Sequence, residues 1–418
     1  MRKIKKMIIE KNTIYNMDCL AGMRLMESDS VDSIITDPPY SLKFMGKKWD
    51  YQLPSVEMFE EMLRVAKPGT IMLCFGGSRT FHRLACNIED AGWRLTDTIM
   101  YMYGSGFPKS QNISKMMDKK AGKERKVVGK RKHPTLKDTS KIEEQANAAH
   151  GGNSWSREWD ITEPATPEAE LWDGWGTALK PAFEPIIVAM KPLDGTYVEN
   201  ALKYGVAGIN IDGSRVGYKD DADKASATPQ SKCTSKEKGA IGASPDAGRN
   251  LERTDFERPE QKGRWPANVI MDFEAGQLLN EQSGDLTSGS LTGQPRTENK
   301  IYGSASNTLG NPRYHDGDSG GASRFFYCAK ASKAERNLGM GDEINNHPTV
   351  KPLKLIEYLC ILTKTPTGGV VLDPFLGSGT MAVACVNTER EYICFEKEKD
   401  SYNIALKRVE YAEDNNAH

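Results

Sequence analysis

Long apolar runs are missing from this 418-residue chain. None approaches the roughly 18 residues that a membrane-spanning helix needs, which excludes a transmembrane helix. The first fifteen residues carry basic side chains but no sustained apolar stretch and no small-residue cleavage site, so a secretory signal is not expected. Cysteine is scarce and scattered. The eight residues Cys19, Cys74, Cys86, Cys233, Cys328, Cys360, Cys385 and Cys394 form no Cys-x-x-Cys pair and have no close histidine. Their spacing predicts neither a disulfide framework nor a zinc site, but reduced thiols in a cytosolic protein that needs no metal. An excess of one charge sign is missing as well, since 56 Lys and Arg face 57 Asp and Glu, a formal net charge of −1.

That balance conceals a local surplus. Between Lys109 and Lys141 there are twelve Lys or Arg and three Asp or Glu, including the run Lys130-Arg131-Lys132. Such a stretch is either a solvated face or a surface that contacts phosphates. The length predicts two or three domains at about 100–200 residues each.

Residues 8–103 alternate strand and helix patterns, as expected of a parallel sheet covered on both faces. Strand candidates are Thr13–Met17, Val31–Thr36, Thr70–Phe75 and Leu95–Tyr103. Val56, Phe59, Met62, Leu63 and Ala66 recur at helical spacing, Lys67-Pro68-Gly69 stops that helix, and a second helix covers about Arg79–Ala91. From Gly104 the texture turns basic and polar, with Trp155, Trp159 and Trp172, before a strand returns at Pro185–Met190. Residues 283–323 hold eight Gly and seven Ser, too many for a packed element, and predict long loops. At the C-terminus Leu353–Thr363 reads as helix, Val370–Asp373 as strand, Gly377–Glu389 as helix, Tyr392–Glu396 as strand and Tyr402–Tyr411 as helix. One α/β domain is thus expected from both ends of the chain, with other material inserted between them.

Two motifs sit at predicted strand ends. Asp37-Pro38-Pro39-Tyr40 follows a buried strand, placing its carboxylate where open α/β sheets bind ligands. Two prolines fix the backbone and donate no N–H, leaving stiff acceptors beside an aromatic face. That array matches an exocyclic amino group on a base, although an ordinary Pro-rich turn also explains such a triplet. The second motif, Asp373-Pro-Phe375-Leu-Gly377-Ser378-Gly379-Thr380, joins a strand to a helix, and its glycines admit a ligand to the helix N-terminus. Gly377-x-Gly379-x-x-Ala382 followed by Glu396, an acid placed for ribose hydroxyls, also fits a dinucleotide fingerprint. The acid, proline and aromatic ahead of the glycines count against a pyrophosphate cradle and suit an amine-bearing cofactor such as S-adenosylmethionine.

Together, in this order, these motifs make the chain resemble the S-adenosylmethionine-dependent DNA amino-methyltransferases that modify adenine N6 or cytosine N4, with the motif order of their beta permutation. Asn16-Met-Asp18-Cys19 is similar to the family's acid at the cofactor adenine. His347-Pro-Thr349-Val-Lys351-Pro352 is similar to its element beside the cofactor's methionine end. Gly106 to Lys109, Leu179 to Pro185 and Gly263 to Asn268 resemble further family segments. The resemblance implies a Rossmann-like, largely parallel sheet with helices on both faces and an inserted target recognition region. The implied division is 1–110 for the catalytic half, 111–173 for a basic DNA-contacting insertion, 174–215 for a return to the core, 216–330 for target recognition and 331–418 for the cofactor half. It also implies catalysis by Asp37, Pro38, Pro39 and Tyr40. Asp18, Asp373, Phe375, Gly377, Ser378, Gly379, Thr380, Glu396, His347, Thr349 and Lys351 would hold S-adenosyl-L-methionine, and Lys130, Arg131 and Lys132 would hold double-stranded DNA.

In that mechanism Asp37 and the Pro38 carbonyl accept N–H bonds from a flipped-out base, localise its lone pair and stabilise the positive charge that develops, while Tyr40 stacks on the ring. Asp at the first motif position favours adenine N6, with cytosine N4 as the alternative. A DNA-binding module without catalysis, a nicotinamide oxidoreductase and an RNA substrate are the readings of other classes. A bacterial or phage-encoded cytoplasmic enzyme on the nucleoid is expected, with a homodimer and an accompanying restriction endonuclease left open. His82, His133 and His150 are read as surface or core residues, and the tryptophans as packing.

Overall fold

The computed structural model of the chain describes residues 8–41, 51–104, 106, 110–132, 158–221, 223–224, 262–287, 319–329, 333–341, 343–347 and 349–416. His133, His150, Trp155 and Lys109 lie outside these residues. Two compact units are present, one made of Met1–Ser105 with Phe183–His418 and the other of Gly106–Ala182.

The larger unit is built on a sheet of nine described strands. In chain order they are β1 (Thr13–Tyr15), β2 (Val31–Thr36), β3 (Ala66–Phe75), β4 (Arg94–Met102), β7 (Phe183–Met190), β8 (Val269–Asp272), β11 (Tyr327–Ala329), β12 (Val370–Asp373) and β13 (Glu391–Phe395). Their spatial order is β1-β13-β12-β2-β3-β7-β4-β8-β11. Six neighbour pairings are parallel, and the two made by β7 are antiparallel. This is a Rossmann-like α/β fold with a largely parallel sheet.

Burial explains the parallel strands. All six residues of β2 and all four of β12 are buried, as expected where helices cover both faces. Successive side chains then serve opposite cores. Ile35, Leu73 and Phe75 pack with Leu355, Leu359, Ala382, Ala405 and Val409 from α8 (Leu353–Leu362), α9 (Thr380–Asn387) and α10 (Lys399–Asn416). Ile34, Met72 and Cys74 pack with Met23, Phe59, Met62 and Leu84 from α1 (Cys19–Met23), α2 (Val56–Val65) and α3 (Phe81–Asp90).

Several expectations are corrected. The helix α2 ends at Val65, ahead of Lys67-Pro68-Gly69 as expected, but these residues already belong to β3, which starts at Ala66 opposite Val31 and not at Thr70. A register shift between Val31 and Ser33 absorbs the proline and glycine, as a bulge does. Residues 262–287 and 319–329, assigned to target recognition, supply β8 and β11 to the central sheet, along with α7 (Phe273–Ser283). The Gly- and Ser-rich 283–323 segment has a described beginning and end, where β9 (Leu286–Thr287) pairs antiparallel with β10 (Ser319–Gly320); residues 288–318 lie outside the described ones. The last helix is longer than expected, reaching Asn416.

The smaller unit carries α4 (Ile113–Lys120), the antiparallel pair β5 (Val127–Lys132) and β6 (Glu158–Thr162), and α5 (Pro167–Leu171). Asp118 organises it, accepting hydrogen bonds from Arg125 at 2.7 Å, the Ala165 amide at 3.1 Å and the Thr166 hydroxyl at 2.8 Å. A further helix, α6 (Tyr197–Tyr204), belongs to the larger unit. It opens with a capping box between Thr196 and Glu199.

Candidate active site

Strand order reverses between β12 and β2: the chain leaves β2 for β3 on one side and leaves β12 for β13 on the other. Open α/β sheets bind ligands outside the carboxyl ends of their strands at such a point. Both predicted motifs lie there. Thr36, the last residue of β2, donates its hydroxyl to Asp373 Oδ1 at 2.7 Å, tying together strands whose motifs are more than 300 residues apart.

Beyond β2 the chain enters Asp37-Pro38-Pro39-Tyr40, where Pro38 is buried and the other three are half-buried. The Tyr40 hydroxyl donates to Asp37 Oδ1 at 2.6 Å, and Thr80 donates to the Tyr40 carbonyl at 2.8 Å. Lys351 Nζ lies 3.3 Å from Asp37 Oδ1 and donates to Tyr40 Oη at 3.0 Å and to Glu184 Oε2 at 2.6 Å. Burial, with Glu184 adding to it, raises the Asp37 carboxyl above the usual carboxylate range, while Lys351 and the Tyr40 hydroxyl pull it back. Tyr40 is raised well above the ordinary phenol value, by burial and then by Asp37. Burial pulls the Lys351 ammonium down, but Asp37 and Glu184 outweigh it and hold the group above the usual lysine range.

The second motif begins at Asp373, a buried carboxylate that also accepts from the Phe375 amide at 3.0 Å. Burial pushes it up to about 7 against those two hydrogen bonds, and the charges of Asp37 and Glu396 add to the rise. The loop after it needs its glycines. Gly377 has φ +59, and a Cβ there would stand 3.1 Å from His347 Nε2; Gly379 has φ +90, and a Cβ would stand 2.8 Å from Ala405 Cα. The Gly377 amide donates to Glu396 Oε2 at 2.8 Å, and the Glu398 amide donates to Oε1 at 2.6 Å. Burial raises Glu396 as well, against these amides. Beneath the loop, buried Arg408 donates to the Ser378 carbonyl at 2.7 Å, the Ser378 hydroxyl at 3.2 Å and the Thr380 hydroxyl at 3.1 Å.

The structure brings most of the predicted residues to the carboxyl ends of the strands around the switch point. Asp18 follows β1, caps α1 through the Leu20 and Ala21 amides, and lies 3.4 Å from Lys397 Nζ just after β13. Phe375 packs partly buried at the edge of the core under α1–α3. His347 lies against Gly377 with Nδ1 buried and without a hydrogen-bond partner among the described residues; burial, then Arg336 and Arg408, lower it to about 4. Thr349 is exposed. The Ser378 and Thr380 hydroxyls are engaged by Arg408 from beneath the loop, and Lys351 lies in the Asp37 cluster. Lys130 and Arg131 are exposed on β5 of the smaller unit, where Lys130 and Lys132 stand in register with Asp160 and Glu158 of β6. Thr36 and Arg408 escape sequence reading, since neither has a local pattern that marks it, and Glu184 is legible only as part of the Leu179 to Pro185 segment.

The family model for DNA methylases, N6_N4_Mtase, matches residues 31–407, a span that includes both motifs. The chain belongs to this DNA methylase family. Among curated relatives, Type II methyltransferase M2.DpnII of Streptococcus pneumoniae is 43% identical over 70 residues, 17% of this chain and 26% of that protein. DNA adenine methyltransferase YhdJ of Escherichia coli strain K12 is 35% identical over 71 residues, 17% of this chain and 24% of that protein. The aligned stretch thus spans about a quarter of the curated relatives' length. Among solved structures, the PvuII DNA methyltransferase (cytosine-N4-specific) is similar at 12% identity and a TM-score of 0.43, covering 96% of this chain and 87% of that one. The M1.HpyAVI–SAM complex is similar at 16% identity and a TM-score of 0.37, covering 95% and 98%. No described helix is long and apolar enough to cross a membrane.

Proposed function

We propose that this methylase transfers a methyl group from S-adenosylmethionine to the exocyclic N6 of an adenine flipped out of double-stranded DNA. The observation that carries this is the 2.7 Å hydrogen bond between Thr36 and Asp373, which sets a carboxylate, proline and tyrosine array beside a glycine loop at the switch point of the sheet. Adenine is supported by an aspartate as the first residue of the array and by the adenine-modifying relative YhdJ.

The donor set fits the cofactor, because the Glu396 carboxylate, fixed by the Gly377 and Glu398 amides at the end of β13, can accept from ribose hydroxyls, and Asp18 offers a second carboxylate after the neighbouring β1. Gly377, Glu396, Asp18, Phe375 and His347 would hold it. When bound, S-adenosylmethionine supplies an electrophilic methyl group. Asp37 and the Pro38 carbonyl accept the two amino N–H bonds and draw the nitrogen lone pair out of the ring. After transfer the nitrogen bears a methyl group and one proton too many, and the adjacent Asp37 carboxylate takes that proton. Tyr40 supplies the aromatic face, and extrusion of the base costs a few kcal/mol. Lys130, Arg131 and Lys132 would contact phosphates, and the parts of 216–325 outside β8 and α7 would read base edges.

Mapping methylated bases in DNA from cells that express the chain tests base and context together. Asp37→Ala should abolish modification and leave cofactor affinity within about twofold, since its charge acts on the amino group. N6-methyladenine persisting at the parental level in that variant would remove Asp37 from the reaction; N4-methylcytosine in the parent would move the assignment to cytosine.

A further inference from the structure

The Asp37 carboxylate has a task that its surroundings oppose. Under the function proposed above, it must be ionised to accept an N–H bond and then a proton. It is largely withdrawn from water, and a second carboxylate, Glu184 at the start of β7, shares the site. Two like charges in a desolvated pocket favour protonation of one of them. The titratable groups around the pair are Tyr40, Cys74 on β3, Asp373 on β12 and Lys351, with Tyr101 and Tyr103 facing Glu184. Among these described neighbours, Lys351 is the one cation.

Building on that function, we infer that Lys351 is the positioning residue that holds Asp37 in its acceptor state, and that Glu184 is the counter-charge that fixes Lys351 there. Lys351 is closer to Glu184, at 2.6 Å, than to Asp37, at 3.3 Å. Its short hydrogen bond goes to Glu184, so Asp37 has the ammonium beside it without being consumed in a tight ion pair. Lys351 and the Tyr40 hydroxyl both approach Oδ1 of Asp37, which fixes the rotation of the carboxylate. The ammonium also stands 4.9 Å from the Phe75 ring centroid and 5.3 Å from that of Tyr40, two aromatic faces that favour a cation over a neutral amine. The cluster of two carboxylates and one ammonium carries a net negative charge, opposite in sign to the charge that develops on the amino nitrogen.

Opposite substitutions should move the pH profile in opposite directions. The full chain, saturated with S-adenosylmethionine, is assayed for single-turnover methyl transfer into duplex DNA across the range from about pH 6 to 10, where general acid–base groups show as limbs. Lys351→Gln leaves Asp37 facing Glu184 alone and should raise the acid limb by about 1–3 pH units, the usual effect of a neighbouring charge. Glu184→Gln should lower the limb, Lys351→Arg should keep it near the parental position, and the double Gln variant should fall between the singles. Cofactor affinity by calorimetry should stay within about twofold throughout, because on this inference the Lys351 ammonium serves Asp37 and Glu184 and not the cofactor. Lys351→Gln lowering the rate equally at every pH would mean a purely structural role and overturn the inference. So would lost cofactor affinity with an unmoved limb at saturation. If Lys351→Gln does not fold, an unmoved limb in Glu184→Gln overturns it alone. Failure of the underlying function appears separately, as a parental chain that methylates no amino nitrogen at any pH.

Discussion

Asp373 shows how one residue at this site trades stability for placement. It is buried at the end of β12, and its carboxyl is pushed up to about 7, against about 3.9 for a free aspartate. The folded chain therefore retains a proton that the unfolded chain releases. The linked stability is fully present below about pH 4, declines as pH rises through the interval up to about 7, and is absent above it. Asp373→Asn keeps an oxygen acceptor for the Thr36 hydroxyl and the Phe375 amide but carries no charge. That variant should have a higher urea midpoint than the parent at about pH 8, with the difference shrinking toward pH 4. A difference that stays constant with pH would show that Asp373 is not the titrating group. Asp37 and Asp373 are both legible in sequence because each ends a short apolar strand and begins a motif with prolines or glycines. Lys351 is legible only as part of a motif. Its partner Asp37 lies more than 300 positions away, and no local pattern reports which of two neighbouring tasks its ammonium serves.

At the scale of elements, helix α10 secures the glycine loop. Arg408 is 2% exposed and donates to Ser378 and Thr380 from the far side of the loop. Arg408→Met should leave those acceptors unpaired at a cost of roughly 1–3 kcal/mol for each group that finds no water. A lower urea midpoint together with weaker cofactor binding is expected, while transfer at saturating cofactor should stay near the parental rate; unchanged cofactor affinity would show that the loop holds its shape without Arg408. The helix itself is easily read from its periodicity, whereas the arginine looks like any surface cation until the packing is known. Strands follow the same division. Val31–Thr36 and Val370–Asp373 are found at their sequence-predicted bounds because continuous burial leaves a continuous apolar run. Strand β11 has three residues and β8 four, too short to stand out in a segment rich in polar residues, and only pairing with β4 makes them part of the sheet.

Across the whole molecule, the proposed division of labour predicts two separable phenotypes. Replacing Lys130, Arg131 and Lys132 with alanine should reduce the magnitude of the slope of log affinity against log salt by about 0.9 for each phosphate no longer neutralised, and weaken cognate and random DNA alike. Exchanging the parts of 216–325 that leave β8 and α7 in place for the matching segments of a relative should change which sites are methylated; retention of the salt slope, or of the original sites, would sink the division. The distance along the chain between partners at the switch point also governs how the centre forms. The Thr36–Asp373 bond closes 337 positions, Lys351–Tyr40 closes 311 and Arg390–Ser33 closes 357. Bonds of that separation repay their loop-closure entropy only once both ends of the chain have found each other, so topology makes them slow to form. The 106–182 unit, held by interactions inside one short stretch of chain, is under no such delay. During refolding, compact structure should come early and catalytic competence late, with no half-assembled centre able to alkylate DNA at random along the way.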